Sequence, residues 1–230
     1  MAHDVGAVVP AAGQGRRLGS RQAKAFVPVA KTPLVIHALH ALQQAPSIRW
    51  ITLVVPPGEA LRATRLVRRY RLTKVSSVVT GEATRSASVM RGFSALPAQA
   101  RWVLIHDGAR PCVTTGLIES AIRQARRDQA VACGLPASLT VKAVDAHRQV
   151  RVTLDRDHLW FVQTPQVFPR AWLAEALSRV NGRLDRFPDD AALLEWAGFS
   201  VRMVPGDPLN IKVTTKDDVL LAEAILNSRR

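Results

Sequence analysis

Short apolar runs alternate with segments of helical periodicity through the first half of the chain, and this alternation predicts an α/β fold on a doubly wound, mostly parallel sheet. Two further observations support it. The polar and cationic loops fall after the strands, on the edge where such sheets bind ligands. The 230 residues, 47% of them hydrophobic, are enough to cover both faces of one sheet within a single domain.

The first strand, Ala7-Val8-Val9, stops at Pro10 and enters Ala11-Ala12-Gly13-Gln14-Gly15, which delivers Arg16, Arg17 and later Lys24. A backbone that wraps a phosphate needs φ values and close approaches that a Cβ blocks, so the two glycines read as a cradle. Loop amides and a following helix N-terminus favour an anion there, and Arg17 and Lys24 add full charges, which points to a polyphosphate. The spacing matches neither GxxxxGK[ST] nor GxGxxG, because Gly15 is followed by Arg-Arg-Leu before Gly19. A basic surface turn is the competing reading. Lys24, in a polar loop just before Phe26-Val27-Pro28-Val29, weighs against it.

Residues 33–44 carry apolar side chains at helical spacing, with Thr32 expected as N-cap and Pro33 at the first helical position. Residues 50–55 form a buried strand closed by Pro56-Pro57-Gly58. Then follow a helix over 59–70, a strand over 75–80, and a helix over 84–95 with Arg85, Ser86 and Ser88 in its first turns. A strand over 102–105, a loop over 106–111 and a helix over 115–128 complete this half. Three loops, residues 13–17, 81–88 and 106–110, should therefore meet in one crevice.

From Val131 the pattern changes. Residues 138–144 and 149–154 alternate apolar and polar about Asp145-Ala146-His147-Arg148, a hairpin signal. An isolated ribbon is marginal in water, so its apolar residues Leu139, Val141, Val150 and Val152 need cover, which a second subunit would provide. Residues 161–168 contain Gln163-Thr164-Pro165-Gln166, expected as a polar turn. Helices over 172–180 and 190–197, a strand over 200–204, the loop Asn210-Ile211-Lys212-Val213-Thr214-Thr215 and a helix over 216–227 end the chain. The expected organisation is one domain, residues 1–230, with a β-arm over 137–160.

The formal net charge is +14, but the arginines are scattered. Their densest group, Arg62, Arg65, Arg68, Arg69 and Arg71, lies on a helical segment whose Leu61, Leu66, Val67 and Tyr70 should face the core, so it reads as a solvated face without nucleic acid. No apolar run approaches the roughly 20 residues of a membrane span, and no basic leader precedes an apolar stretch, so a soluble, cytoplasmic protein without membrane partners is expected. Cys112 and Cys133 stand far apart with no CxxC, and read as core thiols. Asp107, alone at a strand end, offers the hard oxygen that Mg²⁺ prefers.

The pattern PAAGxGxR with a later lysine, together with HDGARPC, LDRDHLW, QTPQVF and NIKVTT, resembles nucleotidyltransferases that activate sugar and polyol phosphates. Most closely, and nearly end to end, the chain is similar to the 2-C-methyl-D-erythritol 4-phosphate cytidylyltransferase family of the non-mevalonate isoprenoid pathway. The resemblance implies a Rossmann-like nucleotidyltransferase fold with a protruding β-arm, and transfer of the cytidylyl group of CTP to 2-C-methyl-D-erythritol 4-phosphate in a Mg²⁺-dependent homodimer. It assigns catalysis to Arg17, Lys24 and Lys212. Nucleotide contacts fall on Pro10, Ala11, Ala12, Gly13, Gly15, Arg16, Gly81, Arg85, Ser88, Asp107 and Gly108, with Asp107 also the metal ligand. Arg110, Thr140, Arg156 and Thr164 would bind the polyol phosphate, partly from the neighbouring subunit. Such a transfer joins two anions, so preorganised cations suffice, and the sequence accordingly lacks a Ser-His-Asp or Cys-His constellation. The family pattern is broken at Ala23 (commonly proline), Gly108 (commonly alanine), Ser138-Leu139 (an Arg-Asp pair) and Pro188 (often threonine). Competing readings are a cytidylyltransferase for another polyol phosphate, such as ribitol 5-phosphate, and a non-catalytic nucleotide- or nucleic-acid-binding protein.

Overall fold

The computed structural model describes residues 3–13, 15, 18–19, 22–180 and 184–229. Its centre is β1 (Val5–Pro10), buried at every residue because it has neighbours on both edges and helices on both faces. It pairs in parallel with β4 (Ile48–Val55) and β6 (Trp102–Ile105). The two-residue strands β2 (Pro28–Val29) and β3 (Thr32–Pro33) form a separate hairpin, and β5 (Val75–Thr80) extends the sheet beyond β4. Beyond β6 come β10 (Trp160–Pro169), β7 (Ala130–Pro136) and β11 (Val201–Pro205), giving the order β11-β7-β10-β6-β1-β4-β5. Only β10 runs against its neighbours, so the sheet is mostly parallel.

Alternate residues of β1 serve opposite cores, as a period of two requires. Val5, Ala7 and Val9 pack on one face with α1 (Leu34–Gln44), α4 (Thr115–Asp128) and Ala63 of α2 (Ala60–Arg69). Val8 packs on the other with α3 (Arg85–Ser94), α5 (Arg170–Arg179) and α6 (Asp190–Trp196). A third cluster seats α7 (Lys216–Ser228) against Leu18, Val29, Leu34, Cys112 and Val213. Both cysteines are buried and unbridged. After β1 the chain turns toward β4, and after β6 toward β7, so the loops part above the β1–β6 pair. That divergence is where a doubly wound sheet opens a crevice.

Four expectations need correction. The segment Gln163-Thr164-Pro165-Gln166 is not a turn but lies within β10, where the register with β7 slips between Val162 and Gln166. Its Thr164–Pro165 peptide is cis. A proline has no N–H for the ladder, and a bulge accommodates it. Helix α1 begins one residue late: Pro33 is extended (ψ 135) and belongs to β3, while the Leu34 amide is capped by the Val27 carbonyl at 2.9 Å rather than by Thr32. Leu61 is solvent-exposed, and Ala63 is the residue of α2 that enters the core, beside half-buried Leu66, Val67 and Tyr70. A strand at β7 was not expected, since Ala130, Ala132, Cys133 and Gly134 lack the bulk that marks strands.

The arm is a two-stranded sheet of β8 (Val141–Val144) and β9 (Val150–Leu154), apart from the main sheet. Its turn is organised by Asp145, whose Oδ1 accepts from the amides of His147 and Gln149, both at 2.9 Å. Val141 faces Leu154 and Ala143 faces Val152, which puts these four on one side of the ribbon. Leu139 is 74% exposed and Val152 49%.

Candidate active site

Three loops meet above β1 and β6, as their positions in the sequence imply. Pro10, Ala11, Ala12 and Gly13 form one wall of a first cavity, with Lys24 beside them. Gly15 has φ +65, and a Cβ added there would stand 2.7 Å from Cβ of Lys24, so glycine lets the loop pass beneath the lysine. Arg16 and Arg17 lie outside the described residues.

The loop after β5 closes the opposite wall. A Cβ on Gly81 would meet Cβ of Ala12 at 2.5 Å and Oγ of Ser88 at 2.7 Å, so only glycine permits the two loops to touch. Thr84 caps α3, its side chain accepting from the Ala87 amide at 3.2 Å. The Ser88 hydroxyl accepts from the Glu82 amide at 2.9 Å and donates to the Glu82 carbonyl at 3.3 Å, which fixes the turn that borders the cavity.

The third loop brings Asp107, Gly108 and Ala109. Asp107 is 6% exposed and held by two cations: Arg85 Nε donates to its Oδ1 at 3.0 Å, and Lys212 Nζ to its Oδ2 at 2.6 Å. Burial alone would raise this carboxyl, but Arg85 and Lys212 more than offset it and hold the group ionised, well below the usual carboxylate range. Arg85 also reaches Asp190, Nη1 to Oδ2, at 2.8 Å. Burial would lower the Arg85 guanidinium, and Asp190 and Asp107 outweigh that, so it is raised.

Asp107 is positioned through its backbone. Its amide donates to Thr164 Oγ1 at 3.1 Å. His106 Nε2 lies 3.3 Å from the Arg110 carbonyl, which can only accept, so Nε2 carries the proton. Burial pushes the His106 pKa down to about 4, so the ring is neutral and Nδ1 accepts from the Thr164 hydroxyl at 3.1 Å. The threonine assigned to substrate thus also ties β10 to the Asp107 loop.

A second cavity lies on the other side of Asp107, lined by Arg110, Gln163, Thr164, Gln166 and Pro188 among others. Arg110 is buried; its Nη1 donates to the Asn210 carbonyl at 2.8 Å, while Nε has no hydrogen-bond partner among the described residues. Asn210 in turn donates to the Thr164 carbonyl at 2.8 Å, and the Val213 amide to the Ala109 carbonyl at 2.8 Å. Lys212 is pinned between these two anchors. Arg85, Asp107 and Lys212 line both cavities and form the wall between them. Thr140 and Arg156 stand on the exposed arm and line neither cavity; Arg156 donates to the Ser138 carbonyl at 2.8 Å instead of pairing with Asp155 or Asp157.

A small-residue cradle and a ring of cations about one carboxylate make a site for moving a phosphoryl-linked group between anions. A model of the 2-C-methyl-D-erythritol 4-phosphate cytidylyltransferase family matches residues 5–228. The chain belongs to that family. It is therefore an enzyme of the nucleotidyltransferase class. The 2-C-methyl-D-erythritol 4-phosphate cytidylyltransferase of Desulforamulus reducens is 40% identical over 97% of this chain and 96% of its own. The 4-diphosphocytidyl-2C-methyl-D-erythritol synthase of Anaerococcus prevotii superposes with a TM-score of 0.82 at 28% identity, covering 97% of this chain and 98% of that one. The 2-C-methyl-D-erythritol 4-phosphate cytidylyltransferase of Thermus thermophilus does so with 0.78 at 31% identity, over 99% and 100%.

The cytidylyltransferase site also uses residues that sequence reasoning passed over. Asn210 and Asp190 border neither cavity and contact protein, while Gln166 lines the second cavity from within a polar stretch that reads as a turn, so no spacing rule marks them. The one available signal was the Asp189-Asp190 pair, since a helix N-cap needs a single carboxylate.

Proposed function

We propose that the two cavities hold the two reactants of the family's reaction. In it the cytidylyl group of CTP passes to 2-C-methyl-D-erythritol 4-phosphate, giving 4-diphosphocytidyl-2-C-methyl-D-erythritol and pyrophosphate. The observation that carries this reading is the shared wall of Arg85, Asp107 and Lys212. CTP fits the first cavity, whose cradle residues leave room for close approach of phosphates. The polyol phosphate fits the second, where Arg110 sets a guanidinium charge in the wall beside Lys212 and Arg85. A phosphate oxygen of the polyol attacks the α-phosphorus as the bond to pyrophosphate breaks, and charge builds on the non-bridging and leaving oxygens. Lys24 and Lys212 face that charge from opposite sides, with Arg16 and Arg17 assigned to the same triphosphate.

Asp107 fits a magnesium ion. It is ionised, and one hydrogen bond to each oxygen leaves lone pairs for a hard cation. Among the described residues no cluster of three candidate ligands exists, so triphosphate oxygens and water would fill the other positions. Bound there, the ion supplies neutralisation of phosphate and pyrophosphate charge.

A homodimer accounts for the arm: its apolar residues lie bare in the single chain, and it carries Thr140 and Arg156. No helix among the described residues is long and apolar enough to cross a membrane, and a cytoplasmic location, with access to a dissolved nucleoside triphosphate pool, belongs to this reading. Pyrophosphate release, measured for each pairing of CTP or UTP with 2-C-methyl-D-erythritol 4-phosphate or ribitol 5-phosphate, tests the assignment. Turnover is expected to be fastest with CTP and the methylerythritol phosphate; faster turnover with ribitol 5-phosphate overturns the polyol.

A further inference from the structure

We propose that Asp190 is a positioning residue for the transfer, fixing Arg85 and, through Arg85, the Asp107 carboxylate at the wall between the two cavities. The inference rests on the reading of that wall given above. Asp190 borders neither cavity and is 3% exposed, so it does not meet either reactant. Burying a carboxylate costs several kcal/mol unless it is paired, and its partner is Arg85 Nη1 at 2.8 Å.

The geometry explains what the pair achieves. Arg85 spans two carboxylates, using Nη1 for Asp190 and Nε for Asp107. A guanidinium is a rigid plane, so fixing one edge fixes the direction in which Nε points. Without Asp190, an arginine side chain left 27% exposed at a phosphate site is free to turn toward phosphate oxygens, and Asp107 loses one of its two cationic contacts.

Asp190 is itself held in place from below. Asp189 caps α6 through the Ala192 amide at 2.8 Å. Gln166 of β10 donates to Asp189 Oδ2 at 2.9 Å and accepts from the Ala191 amide at 3.1 Å. The start of α6 is thus anchored to the central sheet: Gln166 holds Asp189 and Ala191 on either side of Asp190, and Asp190 passes that anchorage through Arg85 to Asp107.

Steady-state kinetics of Asp190→Asn, Arg85→Leu and the double variant test this, with thermal melts to confirm folding. Asp190→Asn should lower kcat about tenfold, the loss of roughly one stabilising interaction in the transition state, with both KM values nearly unchanged. In the Arg85→Leu background the same substitution should cost nothing further, because its route to the site is gone. Unchanged kcat in Asp190→Asn, or losses that multiply in the double variant, would overturn the proposal. Asp190→Ser, which leaves room for water beside Arg85, is measured alongside in case the Asn protein folds poorly. Full activity in Lys212→Ala would instead remove the shared wall itself; an inactive Lys212→Ala beside a normal Asp190→Asn removes only the role of Asp190.

Discussion

Lys24 and Lys212 come from opposite ends of the chain, yet they border one cavity with Asp107 nearby. If each meets charge that develops only during transfer, removing either should act on kcat. Lys24→Ala and Lys212→Ala are each expected to lose about a hundredfold in kcat, on the order of 3 kcal/mol, with little change in melting temperature. A buried histidine contributes to the response to acid. His106 is buried with a pKa pushed from 6.5 down to about 4, so the folded protein resists a proton that the unfolded chain accepts. The unfolded state therefore binds more protons between these values. The contribution of this neutral ring to stability is complete above about pH 6.5 and is lost as pH drops toward 4, by about 3 kcal/mol. Urea midpoints taken from pH 7 to 4 should fall, and His106→Gln should make that fall shallower, with half-buried His40 contributing in the same direction.

The loop that carries Lys212 is anchored by a helix cap. Thr214 N, Thr214 Oγ1 and Thr215 N all donate to Asp218 Oδ2, at 2.7, 2.7 and 2.8 Å, and Thr215 Oγ1 accepts from the Asp218 amide at 3.3 Å. This capping box starts α7 and fixes the turn just past Lys212 and Val213. Asp218→Ala should cost about 1–2 kcal/mol in denaturant unfolding, and should lower kcat several-fold in protein that remains folded. Elements such as these were legible to different degrees. The alternation through α4 was readable because the strands are short valine-, leucine- and isoleucine-containing runs and each helix shows its own period. β7 escaped because its residues are small, and the centre of β10 because a polar stretch with proline looks like a turn whether it faces water or a ligand. Of the site, the ligand-facing loops were visible from their glycines and cations. Asp190 and Asn210 were not, since supporting residues need only be near one another in space, and Gln166, which lines the second cavity, was hidden in the stretch of β10 that reads as a turn.

At the scale of the whole molecule, the arm leaves the sheet between β7 and β10 and exposes Leu139, Val144, Val150 and Val152. If a second copy covers them and receives Arg156 in return, two crippled chains should rescue each other. Lys24→Ala and Arg156→Ala proteins, each inactive alone, should regain partial activity on mixing, because some heterodimers hold one site with both groups intact. A mixture that stays inactive while subunits demonstrably exchange would confine Arg156 to its own chain. The reversed direction of β10 has a separate consequence. One cavity is bounded largely by loops, whereas the other takes Gln163, Thr164 and Gln166 from the interior of a strand. Immediately beyond, Val167 fills the core on one face of the sheet and Phe168 the core on the other, both fully buried. Deleting or inserting one residue in this stretch would exchange them and misfit both cores. Evolution can remodel the first cavity by changing loop lengths, while in the second the floor laid by β10 can diverge by substitution alone.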